Sequence, residues 1–198
     1  MHDQSSLFAP DAPDPFDPAA IQTLRPVLSV LKISSRHQVE DEADAPTGPA
    51  IWACRPSPVP LDLLLLASHL QRGGRPWPRL VLDERWLKHE AVSARLGALG
   101  VIPPSHYQLR RRVMAGCSVI THLVDGGGLA QVAFKCDVPV IPVGWSVRRG
   151  PGGVPVGVTH RIGAPIRGRF GPKDTADQVV DRMDVMIREA VEALSAGS

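Results

Sequence analysis

Apolar positions follow two rhythms along this chain, and the rhythms take turns. After a proline-punctuated opening with no periodicity, Leu24, Val27, Leu28 and Leu31 recur at i, i+3, i+4 and i+7. That spacing predicts a first helix, with Pro26 early enough to be tolerated. The acidic stretch 36–49 reads as a loop, and the apolar run Ala50–Cys54 as a strand. A helix over about 62–71 follows, opened by Asp62, whose carboxylate suits the amide-rich end. Pro78–Asp83 predicts a second strand, and 84–100 a helix ended by Gly97 and Gly100. A short extended piece (101–104) precedes a basic helix (108–116). A third strand (117–124) leads into a loop and helix over 126–137, then a fourth strand (138–145). Residues 154–166 read as a further strand and turn. The terminal helix, from about Thr175, carries Val180, Met183, Ile187, Ala190, Val191 and Leu194 on one face.

Strands alternating with helices predict an α/β fold: a single domain, with a mixed, mostly parallel sheet flanked by helices. A length of 198 residues fits one domain with a substantial core. Residues 1–18 are expected to be a flexible arm and 19–198 the domain. In such sheets the working site lies where strands end and helices begin. Two junctions of that kind are "PSPVPLD" (56–62) and "DGGG" (125–128).

Composition narrows the choice only a little. Apolar residues make up 43% and charged residues 21%, as in ordinary globular domains, and a formal charge of +2 does not argue for nucleic acid. Cys54, Cys117 and Cys136 are odd in number and lack metal-type spacing, so they read as small apolar residues in a reducing compartment. The opening residues have no basic end with an apolar run, and no run is long enough to cross a bilayer. The expected location is cytoplasmic, with any membrane contact peripheral. No metal or bound cofactor is expected. Arginines at 110–112, 148–149, 161, 167 and 169 are either a patch for anionic lipid headgroups, with Arg110 touching substrate, or solvated faces.

Taken in order, five blocks resemble the glycerolipid (lysophospholipid) acyltransferase family. "GPAIWACRPSPVPLDLLLLASHL" resembles its first block, in which an apolar strand leads to an H-x-x-x-x-D motif and a helix. "LKHEAVSARLGALGVIPPSH" resembles the second, and "AGCSVITHLVDGGG" falls where Phe-Pro-Glu-Gly is expected. "CDVPVIPVGW" is similar to the Val-Pro-Val-Ile-Pro-Val block, and "HRIGAPI" to the stretch after it. The resemblance covers about residues 20–170. It implies transfer of a fatty acyl chain from a thioester carrier, acyl-CoA or acyl carrier protein as co-substrate, to a lysophospholipid-like hydroxyl. In the family the motif's histidine removes the hydroxyl proton and its aspartate orients the imidazole.

The reactive positions depart from that pattern. The motif's spacing from Asp62 puts Ser57 where the histidine belongs, and shifting the alignment offers Arg55 or Pro56; none of these is a base at neutral pH. His106 stands near the place of the arginine that binds the acceptor phosphate. Asp125 and Gly126 keep only the acid and glycine of the third block, with Gly127 where an arginine is expected. The glycines read as a tight turn, or as an anion cradle at a helix start. Asp62 as a plain cap needs no partner, whereas Asp62 as an orienter does. His122, on the strand face shared by Ile120 and Val124, reads as a core residue, or with Cys54 and Asp125 as part of a thiol–imidazole–carboxylate set. Two functions follow: an acyltransferase-like enzyme, or a non-catalytic descendant that binds a lipid, an acyl chain or a partner protein in the old cleft.

Overall fold

The computed structural model describes residues 14–40, 45–57, 61–123, 128–149, 151 and 155–196. Seven strands, β1 (Gln38–Glu40), β2 (Ile51–Cys54), β3 (Arg79–Val81), β4 (Val101–Ile102), β5 (Val119–His122), β6 (Val140–Arg149) and β7 (Pro155–Ile162), form one sheet. Its order is β1-β7-β6-β2-β5-β3-β4. All neighbouring pairs are parallel except β6–β7, an antiparallel pair. The helices are α1 (Pro18–Ser34), α2 (Leu61–Arg72), α3 (Glu90–Ala98), α4 (His106–Met114), α5 (Gly128–Cys136) and α6 (Ala176–Ala196). The expected α/β fold, with a mostly parallel sheet flanked by helices, is the fold observed.

Strand parity divides the core in two. Trp52, Cys54, Leu80, Ile120 and Ile141 project to the face covered by α1 and α2, among Leu63, Leu66 and Leu70. Ile51, Ala53, Val119 and Val140 project to the other face, which α4, α5 and α6 cover with Leu109, Val132, Met183 and Ile187. The central strands are buried on both faces, so their sequence is a continuous apolar run without alternation.

The local departures have local causes. Asp83 accepts a bond from the Arg85 N–H at 2.8 Å and starts a 3₁₀ turn, Glu84–Leu87, so the helix expected over 84–100 begins only at Glu90. Gly100, at φ +83°, turns the chain into β4. β1 was expected to be loop; its three residues pair with Thr159–Arg161 of β7 at the sheet edge. On α1, Ile21 and Leu28 are buried but Val27 is 53% exposed, so it lies off the core face assigned to it.

Of the arm expected over 1–18, residues 1–13 lie outside the described residues, and 14–17 are packed. Asp14 Oδ2 accepts from Arg79 at 2.7 Å and from Arg112 at 2.8 Å, and the Arg79 guanidinium lies 3.8 Å from the centroid of the Phe16 ring. Asp17 caps α1 through the Ala19 N–H at 2.8 Å.

Candidate active site

The carboxyl ends of β2, β5 and β3 are adjacent, and the first turn of α2 returns over them. Strand parity puts His122 on the same face as Ile120, beneath α2, and register sets it beside Cys54. Asp62 is the second residue of α2, the helix that follows β2 in the chain. The consequence is direct. His122 Nε2 and Asp62 Oδ2 are 3.1 Å apart, with side chains 19% and 4% exposed.

Asp62 was expected to cap the helix from in front of it. Instead it lies inside the first turn, and one carboxylate oxygen is taken by an imidazole. The other oxygen, Oδ1, is buried and has no hydrogen-bond partner among the described residues. His122, expected to be a core residue, stands at the core's edge with one side toward solvent. The carboxylate fixes which ring nitrogen carries a proton. With Asp62 ionised, Nε2–H donates to it, and Nδ1 keeps its lone pair.

His122 lines a cavity of about 180 Å³ together with Ser57, Asp83, Arg85, Pro104 and Thr121. Ser57, half-buried, therefore shares a cavity with an imidazole that lies 65 positions away in sequence. Cys54 is 1% exposed, and burial pushes its thiol well above its ordinary range, with the Asp62 carboxylate adding to the effect. A thiol held protonated is a poor nucleophile, which counts against the thiol–imidazole–carboxylate set.

The remaining expected residues are dispersed. Arg55 is exposed at the end of β2, and its carbonyl accepts from Trp145 Nε1 at 3.1 Å. His106 opens α4, and its ring fills the space that a side chain at Gly128 would occupy, so α4 and α5 meet there at close range. Arg110 is on the exposed side of α4. Asp125, Gly126 and Gly127 lie outside the described residues. The arginines singled out from the sequence do not form one patch. Arg112 is buried against Asp14, Arg161 pairs with Glu40 at 3.0 Å, and Arg167 lies near Asp137. The rim residues Asp83 and Arg85 carried no sequence signal beyond following a strand.

Comparison with known proteins bears on the fold. No protein-family model and no curated protein matches the chain. A crystal structure of the 1-acyl-sn-glycerophosphate (LPA) acyltransferase PlsC from Thermotoga maritima is similar over 88% of this chain and 82% of that one, with a TM-score of 0.54 and 16% identity. The chain shares the fold of that enzyme, a single-domain α/β fold with a mostly parallel sheet. Within this chain the first and third of the blocks compared by sequence meet at the Asp62–His122 contact.

Proposed function

We propose that the protein transfers a fatty acyl group from a thioester to the hydroxyl of a lysophospholipid-like acceptor, with His122 as general base and Asp62 as the group that orients it. The observation that carries this reading is the 3.1 Å His122–Asp62 contact at the carboxyl edge of an acyltransferase-like sheet. In the family pattern, base and aspartate come from one motif. Here Ser57 takes the histidine's place in that motif and the imidazole comes from the neighbouring strand.

In the reaction the acceptor oxygen attacks the thioester carbonyl carbon while Nδ1 of His122 takes the hydroxyl proton. The tetrahedral intermediate then expels the thiolate, which recovers that proton from the imidazolium. The products are an ester and a free thiol. Asp62 stays ionised throughout and stabilises the positive imidazolium that forms between the two steps.

Contact with a membrane is part of the proposal, because the acceptor is an amphiphile. Val27, Val30 and Ile33 are 53%, 65% and 77% exposed along one side of α1, with Lys32 and Arg36 close by in sequence. Among the described residues no helix is long and apolar enough to cross a membrane. The test is an acyl-thioester assay with lysophospholipid acceptors, read as ester formed and thiol released together. Ester formation in step with thiol release supports the enzyme. Binding of acyl chains without turnover would favour the non-catalytic descendant instead.

A further inference from the structure

The amino edge of the sheet, the end away from His122, holds two deeply buried cations. Arg79 opens β3 and Arg112 stands in the last turn of α4, 7% and 6% exposed. Among the described residues their ionic partner is a single oxygen. Asp14 Oδ2 accepts from Arg79 Nη2 at 2.7 Å and from Arg112 Nη1 at 2.8 Å, while Oδ1 is turned back to the Phe16 N–H at 3.2 Å. The Nε of each arginine is buried without a hydrogen-bond partner, and in Arg79 that nitrogen shares a fork with the bonded Nη2. Charge is mismatched too, with two guanidinium groups set against one carboxylate. Burial foremost lowers the Arg112 guanidinium from its ordinary range; Asp14 opposes this, while Arg79 and Arg111 reinforce it. Buried donors left open are costly, and these mark a place suited to more acceptor oxygens than one carboxylate supplies.

The occupant is a strap that belongs to no helix or strand. Residues 14–17 precede α1, and Asp14 is 32% exposed, so the mouth of the place it fills reaches solvent. Pro15 and Phe16 lie against Gly97 and Gly100, where a Cβ would stand 3.2 Å from each ring, and the Phe16 ring covers the Arg79 guanidinium. We propose that Arg79 and Arg112 form a binding site for a tetrahedral oxyanion, inorganic phosphate or the terminal group of a phosphate monoester, with Asp14 as the internal ligand it displaces. A phosphate dianion matches the two positive charges, and its further oxygens can accept from donors that Asp14 leaves open. The strap competes because it is tethered, which for a short linker equals a concentration of about millimolar. An ester with a flat ring gains further by taking the place of Phe16 over Arg79. The site is remote from His122 and independent of the proposed acyl transfer. Its occupation bears instead on the start of α1, since the strap ends at Asp17, whose N–H donates to the Ala98 carbonyl at 2.9 Å.

Titration of the whole chain with inorganic phosphate at constant ionic strength tests the site, followed by melting temperature and by amide hydrogen exchange. In the parent protein phosphate should speed exchange of the Asp17 amide, because displacing Asp14 frees the strap. Asp14→Asn keeps the shape of the side chain and removes its charge. That variant should bind phosphate about tenfold more tightly than the parent, since the internal competitor is weakened. Its melting temperature should accordingly climb with phosphate more than the parent's does. Adding Arg112→Gln to Asp14→Asn should abolish the gain. Should that double variant fail to fold, the Asp17 exchange in the parent and the Asp14→Asn comparison decide the matter. Phenyl phosphate that binds more tightly than inorganic phosphate assigns the site to an ester whose ring replaces Phe16; equal binding assigns it to phosphate itself. General salt stabilisation moves parent and variants alike. That result, or a parent whose Asp17 amide is indifferent to phosphate, overturns the proposal and leaves Asp14 as a structural ion pair only.

Discussion

Asp62 and His122 show how strand pairing brings together a carboxylate and an imidazole that a linear motif keeps apart. The carboxylate stays where the H-x-x-x-x-D spacing puts it, while the imidazole arrives through strand pairing. The signal for His122 was parity: its side chain falls on the same face as Ile120, the face α2 covers. Parity in one sequence names a face but not which helix covers it, so the partner was illegible until the sheet order was known. Ser57 raises a sharper question, because a serine beside a histidine–aspartate pair can itself carry an acyl group. Direct transfer predicts that Ser57→Ala keeps the rate within about threefold, well short of the ~10²-fold or greater loss that removing a nucleophile or base brings. A collapse in steady-state transfer, with a trapped acyl-serine in the parent, would replace direct attack with a two-step route. Cys54→Ala should leave transfer intact, since its thiol is buried and protonated.

At the scale of elements, α6 packs against β6 at close range. Gly144 on β6 lets α6 approach so closely that a Cβ there would stand 2.5 Å from the backbone carbonyl carbon of Leu194. Gly144→Ala is therefore expected to cost about 1–3 kcal/mol in denaturant unfolding, as overpacking does. Unchanged stability would show that α6 is free to move.

The opposite edge of the sheet holds a different device. His37 Nε2 and His160 Nδ1 are 2.8 Å apart in the interior, joining the start of β1 to β7. Burial foremost, then neighbouring charge, lowers the two rings to about 4 and about 3; His69, Lys32 and Arg72 bear on His37, and His37 and His69 on His160. The native state thus resists protonation while the unfolded chain titrates near 6.5. Stability is complete above that value and falls as pH drops toward 4, by at most about 1.4 kcal/mol per pH unit for each histidine. Urea midpoints between pH 7.5 and 5 should decline accordingly, less steeply in His160→Gln. A flat profile in the parent protein would contradict the buried neutral pair. β1 itself was hard to read from sequence, because one half-buried residue between two exposed ones in an acidic stretch carries no apolar pattern; β7 supplies the reason they are a strand.

Across the whole molecule, periodicity made the alternation of strands and helices legible. It did not give the sheet order or the packing of the opening segment. Proline-rich sequence suggests an arm, yet Asp14 bridges two buried arginines, Arg79 from β3 and Arg112 from α4, at the end of the sheet away from the candidate site. Burial lowers the Arg112 guanidinium from its ordinary range, partly opposed by Asp14. Asp14→Ala should destabilise the fold by somewhat less than the ~3–5 kcal/mol of a fully buried pair, because the carboxylate is 32% exposed. Thermal unfolding reads this directly, and an unshifted transition would mean the segment is dispensable. The two ends of the sheet thus have separate duties, anchorage at the amino edge and the proposed chemistry at the carboxyl edge.

The central claim is that His122 and Asp62 act as one catalytic unit. A double-mutant cycle on the rate of thioester-to-lysophospholipid transfer, with His122→Gln, Asp62→Asn and the two combined, tests it most directly. We expect His122→Gln to lower the rate about 10²- to 10⁴-fold, and the combined variant to be little worse than that single change. Transfer that persists undiminished in His122→Gln, or losses that simply multiply in the combined variant, would contradict the account.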